Sequence, residues 1–387
     1  MIKKSLVPLA LGGFGIGMTE FVMMGILPDL AADLHISIPR AGALISAYAL
    51  GVVVGAPTLV GMLAAQPPKR VLIGFMLLFT VFNALSACSP GFAMLLLCRF
   101  LSGLPHGAFF GVGAIVASRL ADEGRAAAAM ATMFSGLTLA NVAGVPLGTW
   151  VGHHLSWRYA FVMVAAVGLL TVASLRKWVP ELAARPSAGW RRDLAIFRRA
   201  ELWLALGITA IGTGGFFAWF SYIAPLLTRM TGFAPDTLPW IMTLVGIGMT
   251  CGVQLGGRLA DRMSAPRAVG FLLVSMMLLL GANGVFATNQ AAMLVLAFAT
   301  GANALALGPP IQILLIQNAK GAEMLGSSLG QSGFNIGNAA GAFLGGVPLA
   351  LGYSYAAPQW VAATMAGIGC VLTALMLARQ RRLRRSA

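Results

Sequence analysis

The sequence predicts an all-α integral membrane protein with twelve transmembrane helices, arranged as two parallel six-helix repeats. Three observations carry that prediction. Of 387 residues, 58% are hydrophobic and only 10% are charged, whereas about a quarter are charged in soluble globular chains. Apolar stretches recur from one end of the chain to the other, and about 20 helical residues suffice to cross ~30 Å of hydrocarbon. Finally, a segment of the fifth stretch recurs in the eleventh.

The first half, 1–176, holds apolar stretches at 5–27, 42–64, 71–88, 92–118, 126–149 and 158–176. Span one begins like a signal peptide, with two lysines before an apolar run. No small-residue cleavage site follows, and Glu20 interrupts the run, so an uncleaved span is expected. Span five contains Pro146, which removes a backbone donor and bends the helix. The longest break, 177–200, is rich in Arg and Pro and reads as a linker. The second half, 201–378, holds stretches at 201–224, 238–257, 268–286, 290–316, 324–348 and 358–378, and a basic tail covers 379–387.

Basic residues orient the spans. With the N-terminus inside, 22 of the 26 Lys and Arg fall in cytoplasmic segments, three in outer loops (Arg40, Arg158, Arg229) and Arg99 within a span. Both termini are therefore expected in the cytoplasm of a bacterial-type inner membrane. The net charge of +15 anchors topology at the lipid bilayer and calls for no nucleic acid. Cys88, Cys98, Cys251 and Cys370 form no CxxC, so neither a disulfide framework nor a metal site is expected, and no cofactor is implied.

Ser135–Thr149 (SGLTLANVAGVPLGT) and Ser332–Gly346 (SGFNIGNAAGAFLGG) match at seven of fifteen positions with an offset of 197. A second pair, opening at Gly61 and Gly257, recurs at an offset of 196. Each member of a pair follows the same parity of spans, so the repeats are parallel, an arrangement that puts a substrate site near the midplane where the halves meet. Parallel repeats within one chain make a monomer sufficient. Glycine ladders at Gly144, Gly148 and Gly152, at Gly248, Gly252 and Gly256, and at Gly337, Gly341 and Gly345 let helices approach closely.

GRLADRMSAPR from Gly257, RFLSGLPHGAFFGVG from Arg99 and AGVPLGT ending at Thr149 resemble loop and span motifs of the major facilitator superfamily, in its proton-antiporter type. PHGAFFGVGAIV, SWRY, FAWFSY, PIQILLIQNAKG and FNIGNAAGA are similar to its arabinose efflux permease group. The resemblance implies the major facilitator fold, transport of sugars or related small molecules, and a gating loop at Gly257, Asp261 and Arg262. The first-half loop departs from the pattern, with Ala65 and Gln66 where the family has charge.

Ionisable residues inside spans are costly, about 2.5–3.5 kcal/mol each on insertion scales, and mark function. Away from the span ends, Glu20 is the only acid, Arg99 the only strong base and His106 the only histidine. Glu20, Tyr48, Arg99 and Asn141 lie six to eight residues inside the expected outer ends of their spans, or about 9–12 Å deep. Glu20 is therefore expected to carry a proton, with Arg99 as its partner. His106, on the face of Arg99, extends a proton path or binds a hydroxyl. Tyr48 and Asn141 are candidate substrate ligands. So are the amides Gln331, Asn335 and Asn338 on one stripe of span eleven, Gln312 in span ten, and the aromatic stripe Phe216, Trp219 and Tyr222 in span seven.

An enzyme is not expected, since there is no HExxH, no phosphate loop and no second intramembrane carboxylate. A membrane sensor is disfavoured by the nine-residue tail. The expected function is proton-coupled efflux of sugars or small drug-like molecules by alternating access. A sugar uniporter or proton symporter is the alternative.

Overall fold

A computed structural model describes residues 3–63, 66–123, 126–183, 198–319 and 323–386. Ala65, Lys320 and most of the expected linker lie outside these residues. The secondary-structure elements in the described residues are all helical. In the first half, spans one to four are Val7–Asp33, Ile38–Leu63, Pro68–Ala87 and Phe92–Leu120. Span five runs from Ala126–Leu139 through a π-turn, Ala140–Gly144, into Val145–His154, and span six is Trp157–Trp178. In the second half, span seven comprises Ala200–Gly207, a π-turn at Ile208–Gly212, and Thr213–Phe220. Spans eight and nine are Leu238–Arg262 and Ala265–Val285. Span ten joins Gln290–Ala306 to Gly308–Asn318, and spans eleven and twelve are Glu323–Ala350 and Ala357–Ser386.

Eleven helices among the described residues are long and apolar enough to cross a membrane. Span eleven, with 28 residues, has the length, but its serines and amides lower its hydropathy.

Several helices outrun the spans expected for them. Span one continues to Asp33, span five to His154 and span eight to Arg262. Span twelve carries the basic tail on as helix to Ser386, because Arg, Leu and Gln are good helix formers and no breaker interrupts them. The π-turn of span five has a local cause. Pro146 has no N–H, and its ring crowds the carbonyl four residues back. The helix widens just before it, with the Val145 N–H bonded to the Ala140 carbonyl. Ser156 caps span six through the Arg158 N–H, and Asn289 caps span ten through the Ala292 N–H, as is usual for these residue types.

The chain divides into two compact units, residues 1–188 with 235–243, and residues 189–234 with 244–387. In the first, Leu9, Ile16, Phe75, Phe79, Phe109 and Val164 form a buried core. Spans two and four approach at glycines. Gly51 faces the Phe100 carbonyl, Gly55 that of Leu104 and Gly103 that of Tyr48, and a Cβ on any of them would collide with backbone. At the end away from Lys3 and Arg119, Asp33 accepts from Trp157 Nε1 at 2.8 Å and from Arg158 at 2.5 Å. Arg158 also donates to the Ser89 carbonyl at 3.2 Å. The SWRY segment therefore clasps the ends of spans one, three and six.

The second unit repeats the close approach between spans eight and ten. Gly248 faces the Phe298 carbonyl, Gly252 that of Ala302, Gly256 that of Ala306 and Gly301 that of Val245. Gly337, Gly341 and Gly345 of span eleven lie on the backbone of span seven at Ala210, Gly214 and Ala218.

Candidate functional site

A buried polar cluster of the first unit forms where spans one, two, three and four converge. Arg99 is completely buried and Glu20 is 6% exposed. Arg99 Nη1 donates to Thr19 Oγ1 at 3.0 Å, and Nη2 to the Thr19 carbonyl at 3.2 Å. The guanidinium carbon lies 4.3 Å from the Tyr48 ring centroid and 5.6 Å from that of Phe161, a cation–π arrangement. Glu20 interacts electrostatically with both Tyr48 and Arg99. The Tyr48 hydroxyl meets His106 Nδ1 at 3.1 Å. The His106 ring lies 5.5 Å from Phe110, which stacks on Phe134 at 5.1 Å. Glu20, Arg99, Tyr48 and His106 are thus linked within one half.

Two corrections follow from the helix ends. Neighbouring helices do not end level, so residue counts from an end do not measure depth. From Asp33, Glu20 is about 20 Å along its helix, whereas Arg99 is about 10 Å from Phe92, and yet the two side chains interact. Asn141, expected at the same level, sits in the π-turn and donates to the Leu137 carbonyl at 3.1 Å. The gating segment is also not a loop. Gly257, Asp261 and Arg262 occupy the last turns of span eight, with Asp261 and Arg262 exposed, since nothing before Ser264 breaks the helix. In the corresponding first-half segment, Lys69 pairs with Glu181 at 3.3 Å.

In the second unit the aromatic stripe is inside. Phe216, Trp219 and Tyr222 are buried. Phe216 stacks on Phe220 at 5.1 Å. Trp219 Nε1 donates to Asn283 Oδ1 at 3.0 Å, and the Tyr222 hydroxyl to the Ala342 carbonyl at 2.6 Å. Their polar atoms are engaged by the protein. Asn335 and Asn338 are buried and Gln331 is half-buried. Asn335 Nδ2 donates to the Gln331 carbonyl at 3.0 Å, while its Oδ1 has no partner among the described residues. Gln312 lies against Gly330 of span eleven, so this amide group spans two helices. Among the described residues no three His, Cys, Asp or Glu side chains converge as a metal site would require.

Sequence reasoning missed Thr19 and Asn83. Thr19 Oγ1 donates to Asn83 Oδ1 at 2.7 Å, and Asn83 Nδ2 to the Phe79 carbonyl at 2.8 Å. An amide inside span three was the available signal.

A family profile described as Major Facilitator Superfamily matches residues 9–231 and 207–387. AraJ of Escherichia coli K12 is 43% identical over 357 residues, covering 92% of this chain and 90% of that protein. The inner membrane transport protein YdhP of the same strain is 39% identical over 379 residues, covering 98% and 97%. A chloramphenicol resistance protein of Streptomyces lividans is 31% identical over 370 residues, covering 94% of each. Two solved structures share the fold at 16% identity. A peptide transporter superposes with TM-score 0.77 over 99% of this chain and 95% of its own, and a D-xylose-proton symporter with 0.73 over 96% of each. The chain belongs to the Major Facilitator Superfamily and is a multi-pass membrane transporter.

Proposed function

We propose that the protein is a proton-coupled exporter of sugars or small drug-like molecules, working by alternating access as a monomer in a bacterial-type inner membrane, with both termini cytoplasmic. One observation carries the coupling: the two halves share a packing scaffold but not its charges. Gly51 and Gly55 correspond to Gly248 and Gly252, and Gly103 on the Tyr48 carbonyl corresponds to Gly301 on the Val245 carbonyl. In that register, Tyr48, Arg99 and His106 stand where the second half has Val245, Ala297 and Ala304, all buried. The helix pair therefore closes without a cation, a phenol or an imidazole. A charge costing about 2.5–3.5 kcal/mol to embed is not needed for packing, which favours a working role over a static lock.

Glu20 is the proton carrier in this reading. A guanidinium nearby favours the carboxylate, and a conformation that withdraws it in apolar surroundings favours the acid. Tyr48 and His106 extend the path by one hydrogen bond. The amides Gln312, Gln331, Asn335 and Asn338 suit a neutral cargo, with Asn141, Phe216, Trp219 and Tyr222 as further contacts in other conformations. Export is in keeping with the name of the chloramphenicol resistance relative. The test uses inside-out vesicles acidified inside and loaded with a pH-sensitive dye, comparing wild type with Glu20→Gln as sugars and lipophilic drugs are added. Discharge by a compound in wild type alone supports antiport and names the cargo. Labelled sugar that equilibrates without proton movement would make the protein a facilitator.

A further inference from the structure

Neither Thr19 nor Asn83 is charged, yet together they fix where the Arg99 guanidinium lies. Asn83 Nδ2 donates to the Phe79 carbonyl, a group that can only accept, so the amide cannot flip and its Oδ1 faces Thr19. The Thr19 hydroxyl gives its single proton to that oxygen and turns its lone pairs toward Arg99 Nη1. The Thr19 carbonyl takes Nη2. Every bond in this chain has one permitted direction, and Thr19, Asn83 and Arg99 are all fully buried.

We propose that Thr19 and Asn83 are positioning residues that hold the Arg99 guanidinium on Thr19 and thereby set the proton affinity of Glu20. The proposal rests on Glu20 being the proton carrier. Glu20 follows Thr19 in the chain and interacts electrostatically with Arg99. Charge interactions vary as the inverse of distance and strengthen in low dielectric, so releasing the guanidinium to turn toward the carboxylate changes how firmly Glu20 keeps its proton. The second half builds a similar fixture. Asn283 Nδ2 holds the Leu279 carbonyl, and its Oδ1 accepts from Trp219. Its third member is the hydroxyl of Thr300, so there the fixture positions no charge.

The test needs no cargo. Purified full-length protein in lipid is titrated with pH while infrared spectroscopy follows the carbonyl stretch of a protonated carboxyl, assigned by its loss in Glu20→Gln. In Thr19→Val, an isosteric change, Nη2 stays on the carbonyl of residue 19 while Nη1 loses the hydroxyl, turns to Glu20 and stabilises the carboxylate. The midpoint is expected to move to more acidic pH by about one unit, or tenfold in proton affinity. Thr19→Ser restores it, and Asn83→Leu, which frees the Thr19 proton to point at Arg99, moves it in the same direction. An unchanged midpoint in either folded variant, or no rescue by Thr19→Ser, overturns the proposal while Glu20 remains the carrier. A band that survives Glu20→Gln overturns the carrier assignment and this proposal with it.

Discussion

The correspondence between the halves depends on backbone contact at glycine, and Gly252→Ala tests it. A Cβ at Gly252 would lie 2.7 Å from the Ala302 carbonyl carbon and 2.9 Å from its Cα, closer still to its oxygen. These are backbone atoms, so no rotamer change relieves the clash and spans eight and ten must part. Overpacking of this kind costs about 1–3 kcal/mol. At roughly 2 °C per kcal/mol for a chain larger than 150 residues, the melting temperature should fall by about 2–6 °C. The control is Gly281→Ala in span nine, where a Cβ meets nothing within 4 Å and helix propensity favours alanine by about 1 kcal/mol. Circular dichroism of both proteins in one detergent measures the difference. If Gly252→Ala melts with wild type, the close approach is wrong, and the pairing of Tyr48 with Val245 loses its basis.

Three further outcomes are expected. Tyr48→Phe keeps the ring beside Arg99 but removes the hydroxyl that meets His106. Because the buried His106 nitrogen loses its partner, the change should lower stability by about 1–3 kcal/mol and slow proton-coupled transport several-fold, measured in the same vesicles. Tyr222→Phe removes the bond to the Ala342 carbonyl, which keeps its helical N–H, and should cost about 0.5–1.5 kcal/mol in melting while raising the cargo KM; an unchanged KM would leave Tyr222 to the interior. Asn335→Leu removes an oxygen that has no donor within the described residues. It should weaken uptake of a hydroxyl-bearing cargo about tenfold, a loss near 1.4 kcal/mol, without lowering the melting temperature.

The legible part of the sequence was what hydropathy and repetition encode. Apolar runs located the helices, and the Ser135 and Ser332 segments revealed the duplication. Glu20, Arg99 and His106 stood out because charge inside hydrocarbon is costly. What periodicity leaves open is how neighbouring helices are rotated against each other. The Tyr48–His106 bond was therefore invisible, and Trp219 and Tyr222 could be assigned to a ligand as readily as to the interior. Thr19 escaped notice because a hydroxyl can bond its own helix carbonyl and so passes unnoticed among apolar residues. The helices of spans one, five and eight run past their apolar stretches because hydropathy marks where lipid stops, whereas a helix continues until its backbone is broken.

The widened turn in span five also controls phase. Gly136 faces Ala10 of span one, and Gly144, Gly148 and Gly152 face Phe14, Val22 and Ile26 in succession. Eight residues of regular α-helix advance about 80° beyond two full turns, which would carry Gly144 off the side that Gly136 presents. The π-turn at Ala140–Gly144 winds more slowly and removes most of that drift. Gly136 and Gly144 therefore present the same side to span one, and the contact resumes beyond the widened turn at Gly148 and Gly152.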